Sequence, residues 1–138
     1  MGQRIREIMT SNPSTVEPDT MVVDAARVMK QEDAGVVPVT ENGRLTGMVT
    51  DRDIAIRVVA EGKDPKSTTV REVASTDLVT IDPQQDLDEA LRLMAKHQVR
   101  RLPVVEEDGR LVGVVAQADV ARQADDTQTG QVVQEISE

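Results

Sequence analysis

At 138 residues the chain is long enough for one ordinary domain or for two small modules that share a core. It contains no Cys, which excludes disulfides and thiolate chemistry, and its formal charge of −9 argues against a nucleic-acid partner, whose phosphates need many Lys and Arg contacts. No apolar stretch approaches the length of a membrane span and Met1-Gly2-Gln3-Arg4-Ile5-Arg6 lacks a signal-peptide core, so a cytoplasmic protein with no membrane partner is expected.

In chain order, Thr15-Val16 reads as a short extended piece stopped by Pro18. Val22, Ala25, Ala26 and Met29 then recur at helical spacing and predict one apolar helix face. Val36 to Val39 and Arg44 to Thr50 predict two strands joined across Glu41-Asn42-Gly43, where Asn-Gly favours a tight hairpin. Ile54, Ala55 and Val58 predict a further helix from about Asp51 to about Glu61. Lys63-Asp64-Pro65-Lys66-Ser67 is a polar linker, with Lys63 read as part of a solvated loop.

The chain then repeats itself. Ile5-Arg6-Glu7-Ile8-Met9 returns as Val70-Arg71-Glu72-Val73-Ala74, and Thr15-Val16-Glu17-Pro18 as Thr80-Ile81-Asp82-Pro83, each at a spacing of 65. Val22, Ala25, Ala26 and Met29 return as Leu87, Ala90, Leu91 and Met94, and Pro38-Val39 as Pro103-Val104. Asp86 with Glu89 forms a capping pair at the start of the second helix. One extra residue in the second turn, which uses Asp108-Gly109, makes the later spacing 66. Each copy has the order strand, helix, strand, strand, helix. Such a module is too small to bury much core alone, so the two are expected to pack together.

The seam between the last strand and the last helix of the first copy is Gly47-Met48-Val49-Thr50-Asp51-Arg52-Asp53. One reading is a helix cap, in which the Thr50 hydroxyl accepts from an early helical N–H and Asp53 reaches back to the backbone. The other is that the same hydroxyl and carboxylate grip the vicinal hydroxyls of a ribose beside helix-start N–H donors. The second copy has Gly113-Val114-Val115-Ala116-Gln117-Ala118-Asp119, which keeps the acid and replaces the hydroxyl by Ala116.

Thr-Val-x-Pro, an Ala-rich helix ending in Met, a hydrophobic-Pro-Val strand, Asn-Gly-Arg-Leu-x-Gly and Gly-x-x-Thr-x-x-Asp, in that order and repeated in register, resemble the cystathionine β-synthase (CBS) domain. Two copies resemble a stand-alone CBS pair, or Bateman module, over roughly Ile5 to Ala124. The resemblance implies an α/β fold of two tandem strand-helix-strand-strand-helix modules packed as a pseudo-twofold pair. The expected boundaries are repeat 1 over 5–62, a linker over 63–69, repeat 2 over 70–124 and a polar tail over 125–138.

It also implies a regulatory module that binds an adenosine-containing ligand (AMP, ADP, ATP or S-adenosylmethionine) in a cleft between the repeats and signals to a protein partner in trans. Thr50 and Asp53 match the ribose motif fully, and Asp119 matches it without its hydroxyl. Arg100 and Arg101, just before the second hydrophobic-Pro strand, stand where the family meets phosphates, whereas the first copy has Gly35 and Val36 there. Arginine offers a fork of donors suited to phosphate oxygens. With no Phe, Tyr or Trp in the chain, an adenine would sit among aliphatic side chains and backbone. The residues leave Mg²⁺ open, and no covalent cofactor is expected.

The remaining conspicuous residues have simpler readings. His97, the one His, follows a helix without metal or catalytic companions, and Met29 and Met94 belong to apolar helix faces. Asp51 and Asp53, two apart on a helix, do not share a face and make no metal pair. No nucleophile–base pair is recognisable, so no catalytic residue is assigned. A ligand-free structural or protein-interaction module is the alternative, favoured by Ala116 and by the cap reading of Thr50. Ile54, Ala55, Ile56, Val58, Val59 and Ala60 are more apolar surface than one small module can cover, which predicts a homodimer through the seam helices.

Overall fold

The computed structural model describes residues 3–123; the tail expected over 125–138, with Val132, Val133 and Ile136, lies outside the described residues. The elements are α1 (Ile5–Ile8), β1 (Thr10–Ser11), α2 (Val22–Glu32), β2 (Val36–Glu41), β3 (Arg44–Thr50), α3 (Asp51–Ile54), a π-helical turn (Ala55–Val59), α4 (Val70–Val73), α5 (Leu87–His97), β4 (Arg101–Val105) and β5 (Leu111–Ala116). The described residues end in a helix over 117–123. The α/β class and the helix, strand, strand, helix order expected of each copy are present, whereas the expected opening strand is a single bridge, at Val16 and at Ile81, and a short helix, α1 or α4, precedes it. The first seam helix also differs: it runs as an α-turn and then widens, with the Ala60 N–H donating to the Ala55 carbonyl five residues back.

The chain forms two compact units. One contains residues 12–78 together with Glu107–Leu111. Its antiparallel hairpin pairs β2 with β3, Val36 opposite Thr50 and Val37 opposite Val49. Asn42 and Gly43 at its tip both have positive φ (56° and 80°), the twist that a two-residue loop needs. Val16 joins β2 in parallel through a single bridge, its N–H donating to the Pro38 carbonyl. The core is Val16, Val22, Ala25, Met29, Val37, Val39, Val49 and Val58, together with Val70 and Val73 of α4.

The other unit contains the described residues up to Ser11, then Val79–Glu106, and those from Val112 onward. Its sheet has the order β1-β5-β4, and Ile81 bridges Val104 as Val16 bridges Val39. Its core is Ile81, Leu87, Ala90, Met94, Leu102, Val104, Val115 and Val120, joined by Ile5 of α1.

Each leading short helix therefore buries its apolar residues in the core of the other copy. The hydrogen bonds repeat the exchange in register. Ile5 and Arg6 donate to the carbonyls of Gln85 and Pro83, while Val70 and Arg71 donate to those of Thr20 and Pro18. The segment after each helix pairs with the edge of a third strand: Thr10 lies opposite Val114, and Met48 and Ser75 exchange both backbone bonds at 3.0 and 2.8 Å. Glycine lets both crossings come close, most tightly at 113. A Cβ on Gly113 would meet the Thr10 carbonyl at 2.9 Å, and one on Gly47 would meet the Ser75 carbonyl at 3.1 Å.

The start of α4 is held by Glu72, whose Oε2 accepts from the Thr69 backbone N–H at 2.7 Å and from its hydroxyl at 3.1 Å. These bonds, the backbone one foremost, hold the Glu72 carboxyl below the usual glutamate value. A carboxyl with a depressed native pKa stabilises the fold above its unfolded value and loses that contribution as pH falls through the native one. NMR titration of Glu72 should therefore give a midpoint below that of an unstructured glutamate; a midpoint at or above it would contradict the cap.

Candidate functional site

The first-copy seam begins where β3 ends. Thr50 has extended backbone, and its Oγ1 accepts from the Asp53 N–H at 3.0 Å. Asp53 answers with Oδ2, which accepts from the Thr50 N–H at 2.9 Å. The two residues thus form a reciprocal capping box, and the cap reading of the sequence is present in the geometry. The box leaves two polar valences for other use. Among the described residues the Thr50 hydroxyl proton has no acceptor, and Asp53 Oδ1 has no hydrogen-bond donor, its nearest cation being Arg57 Nε at 4.0 Å. The Asp53 side chain is 17% exposed, so one open carboxylate oxygen lies at a half-buried helix start.

The strand-entry side of this seam is small and anionic. The Asp51 N–H donates to the Gly35 carbonyl at 2.9 Å, and a Cβ on Gly35 would approach Asp51 Oδ2 to 3.1 Å. With Asp51 and Asp53 both present, the seam suits hydroxyl donors better than phosphate oxygens.

The second-copy seam has the same backbone and different chemistry. The Gln117 N–H donates to the Arg100 carbonyl at 2.6 Å, the counterpart of the Asp51 to Gly35 bond. Ala116 offers no capping hydroxyl, and the Asp119 carboxylate pairs with Arg122 at 3.4 Å. Arg100 and Arg101 are exposed, Arg101 as the first residue of β4, and neither side chain has an ion-pair or hydrogen-bond partner among the described residues. Two unneutralised guanidinium groups in a chain of charge −9 are free to meet an anion.

Thr50, Asp53 and Arg57 thus come together in one unit, while Arg100, Arg101 and Asp119 belong to the other. Arg57 was not singled out from the sequence, although its position four residues after Asp53 is the spacing at which helical side chains meet. It also donates NH1 to the Val73 carbonyl at 3.0 Å. His97 is the exposed last residue of α5, and Met29 and Met94 are core. Among the described residues no group of three or more His, Cys, Asp or Glu is placed to hold a metal ion, and no helix is long and apolar enough to cross a membrane.

Comparison with known proteins finds the CBS domain twice, over residues 5–60 and 70–126. CBS domain-containing protein YhcV of Bacillus subtilis (strain 168) is 48% identical over 117 residues, which cover 85% of this chain and 82% of that one. Hypoxic response protein 1 of Mycobacterium tuberculosis is 41% identical over 118 residues, with the same two coverages of 85% and 82%. A crystal structure of Hypoxic Response Protein I (HRPI) with two coordinated zinc ions superposes with a TM-score of 0.79 and 40% identity, covering 87% of this chain and 98% of that one. The structure of CBSX2 in complex with AMP superposes with a TM-score of 0.78 and 26% identity, covering 92% and 99%.

The capping box yields a stability expectation that needs no ligand. Thr50→Ala removes one side of it and should lower unfolding free energy by about 0.5–2 kcal/mol in denaturant titration. An unchanged midpoint would mean that the box does not hold the helix start.

Proposed function

We propose a ligand-sensing role for this chain, which belongs to the CBS domain family as a tandem pair of domains and is a CBS-pair regulatory module. The ligand in this reading contains adenosine, as AMP, ADP, ATP or S-adenosylmethionine. Thr50 donates its free hydroxyl proton to a ribose oxygen, and Asp53 Oδ1 accepts from a ribose hydroxyl. Arg100 and Arg101 neutralise phosphate where the ligand carries one. The observation behind this reading is the pair of polar valences that the capping box leaves open. The AMP complex of CBSX2 supports an adenosine ligand. Asp119, without a neighbouring hydroxyl, is assigned the weaker second site.

The module performs no chemistry in this reading and acts in trans on a protein partner. A second reading, a ligand-free interaction module, is favoured by two features: in the first copy the Thr50 and Asp53 pair already has a structural use in the cap, and in the second Ala116 offers no hydroxyl. Calorimetry decides between them. On the sensing reading, Asp53→Ala removes most AMP affinity and Asp119→Ala much less. Arg100→Ala and Arg101→Ala weaken AMP and ATP more than adenosine, the more so at low salt. Wild-type protein that binds none of AMP, ATP or S-adenosylmethionine would overturn sensing in favour of the interaction module.

We also propose a homodimer. Ile56 and Val59 are 48% and 70% exposed on the π-helical turn, flanked by exposed Ala55 and Ala60, and a second copy of the chain would cover them. Light scattering at micromolar concentration should return twice the chain mass, and Val59→Glu should return it to the single mass. A monomeric mass for the unmodified chain would remove the dimer.

A further inference from the structure

Arg57 sits on the π-helical turn, one turn after Asp53, and reaches in two directions. Its NH1 donates to the carbonyl of Val73, the last residue of α4, at 3.0 Å. The last carbonyls of a helix have no donor of their own, so this bond meets a need that α4 cannot meet itself. Its Nε lies 4.0 Å from Asp53 Oδ1, beyond hydrogen-bond length and within ion-pair range. The geometry lets one cation support Asp53 without using its open oxygen: Oδ2 is committed to the Thr50 N–H, while Oδ1 keeps its lone pairs for a donor. When a ligand covers that half-buried carboxylate, the adjacent positive charge offsets part of the cost of taking it out of water.

The helix widens at this residue. The Ala55 and Val58 carbonyls accept from the Ala60 and Lys63 N–H groups five residues on. Such turns are rare and concentrate at functional sites, and this one places Arg57 opposite Val73.

We propose that Arg57 is a positioning residue that supports Asp53 for ligand and ties occupancy of Asp53 to the C-terminal turn of α4. The proposal rests on the ribose reading of Asp53 and extends it. A hydroxyl that binds Oδ1 shifts the carboxylate relative to the guanidinium, and the guanidinium carries the shift to the Val73 carbonyl. From α4 the chain continues through Ala74 to Ser75, whose backbone exchanges hydrogen bonds with Met48 of β3. Coupling between sites is reciprocal, so whatever disturbs the Arg57–Val73 bond must also change ligand affinity.

The test uses the full chain, AMP as probe, and amide hydrogen exchange beside calorimetry. In the wild type, AMP should change exchange across Val70 to Ser75. Arg57→Ala should weaken AMP about fivefold or more and abolish that AMP-dependent change. Arg57→Lys, which keeps the charge and loses the fork, should recover part of the affinity. Arg57→Gln, which loses the charge and is too short to reach the Val73 carbonyl, should not. These two milder variants carry the test if Arg57→Ala does not fold. If Asp53→Ala abolishes AMP binding while the Arg57 variants bind it like wild type, the proposal fails and the ribose reading stands. If Asp53→Ala leaves AMP affinity unchanged, both fall. A loss of melting temperature in the Arg57 variants with AMP affinity and exchange response intact reduces Arg57 to a structural tether and overturns the proposal.

Discussion

The constraint on which the rest of this structure depends is that neither copy of the repeat completes its own core. Val70 and Val73 are fully buried, yet the side chains around them are Val16, Val22, Ala25 and Met29 of the first copy. Ile5, also fully buried, lies among Ile81, Leu87, Ala90 and Leu102 of the second. A half-chain of this size buries too little apolar surface to fold firmly alone. Exchanging the leading helices makes each core depend on residues from both copies. The glycines at 47 and 113 belong to the same constraint, because each lets the segment after an exchanged helix lie against a strand. A side chain at 113 would force the Met9–Thr10 segment to shift, and one at 47 would need the Ser75 carbonyl to give by a few tenths of an ångström.

Each unit carries one strand-to-helix seam, and the two seams differ in chemistry. Equivalent backbone bonds, Asp51 to Gly35 and Gln117 to Arg100, fix the two strand-to-helix junctions alike. The side chains then diverge: hydroxyl and carboxylates at the first, guanidinium groups and a lone carboxylate at the second. Duplication with divergence of this kind gives one turn two chemistries, hydroxyl and carboxylate groups in the first copy and guanidinium groups in the second.

Much of the fold was legible because hydrophobic spacing and turn chemistry are local. The Asn42-Gly43 tip, the helical faces of Val22 to Met29 and Leu87 to Met94, and the repeat spacing all follow from near neighbours. The helix exchange was not legible. Ile5-x-x-Ile8 and Val70-x-x-Val73 present the same short apolar face, and nothing in such a pattern says which of two similar cores receives it. The π-helical widening was missed for a related reason, since five-residue backbone bonding has no distinct hydrophobic period and Ala55 to Val59 read as ordinary helix. At the seam, the cap made by Thr50 and Asp53 was legible from their spacing, while their ribose role rests on the family resemblance. Arg57 was missed because the importance of its position depends on the Val73 carbonyl, a partner outside its own element.

The two cores are built wholly from aliphatic side chains and Met, and the chain has no Trp, Tyr or Phe anywhere. The protein is therefore optically silent in the near ultraviolet, where purine bases absorb. A purified sample becomes its own detector: any absorbance band there belongs to a molecule the protein carries, and its height against peptide absorption counts the copies bound.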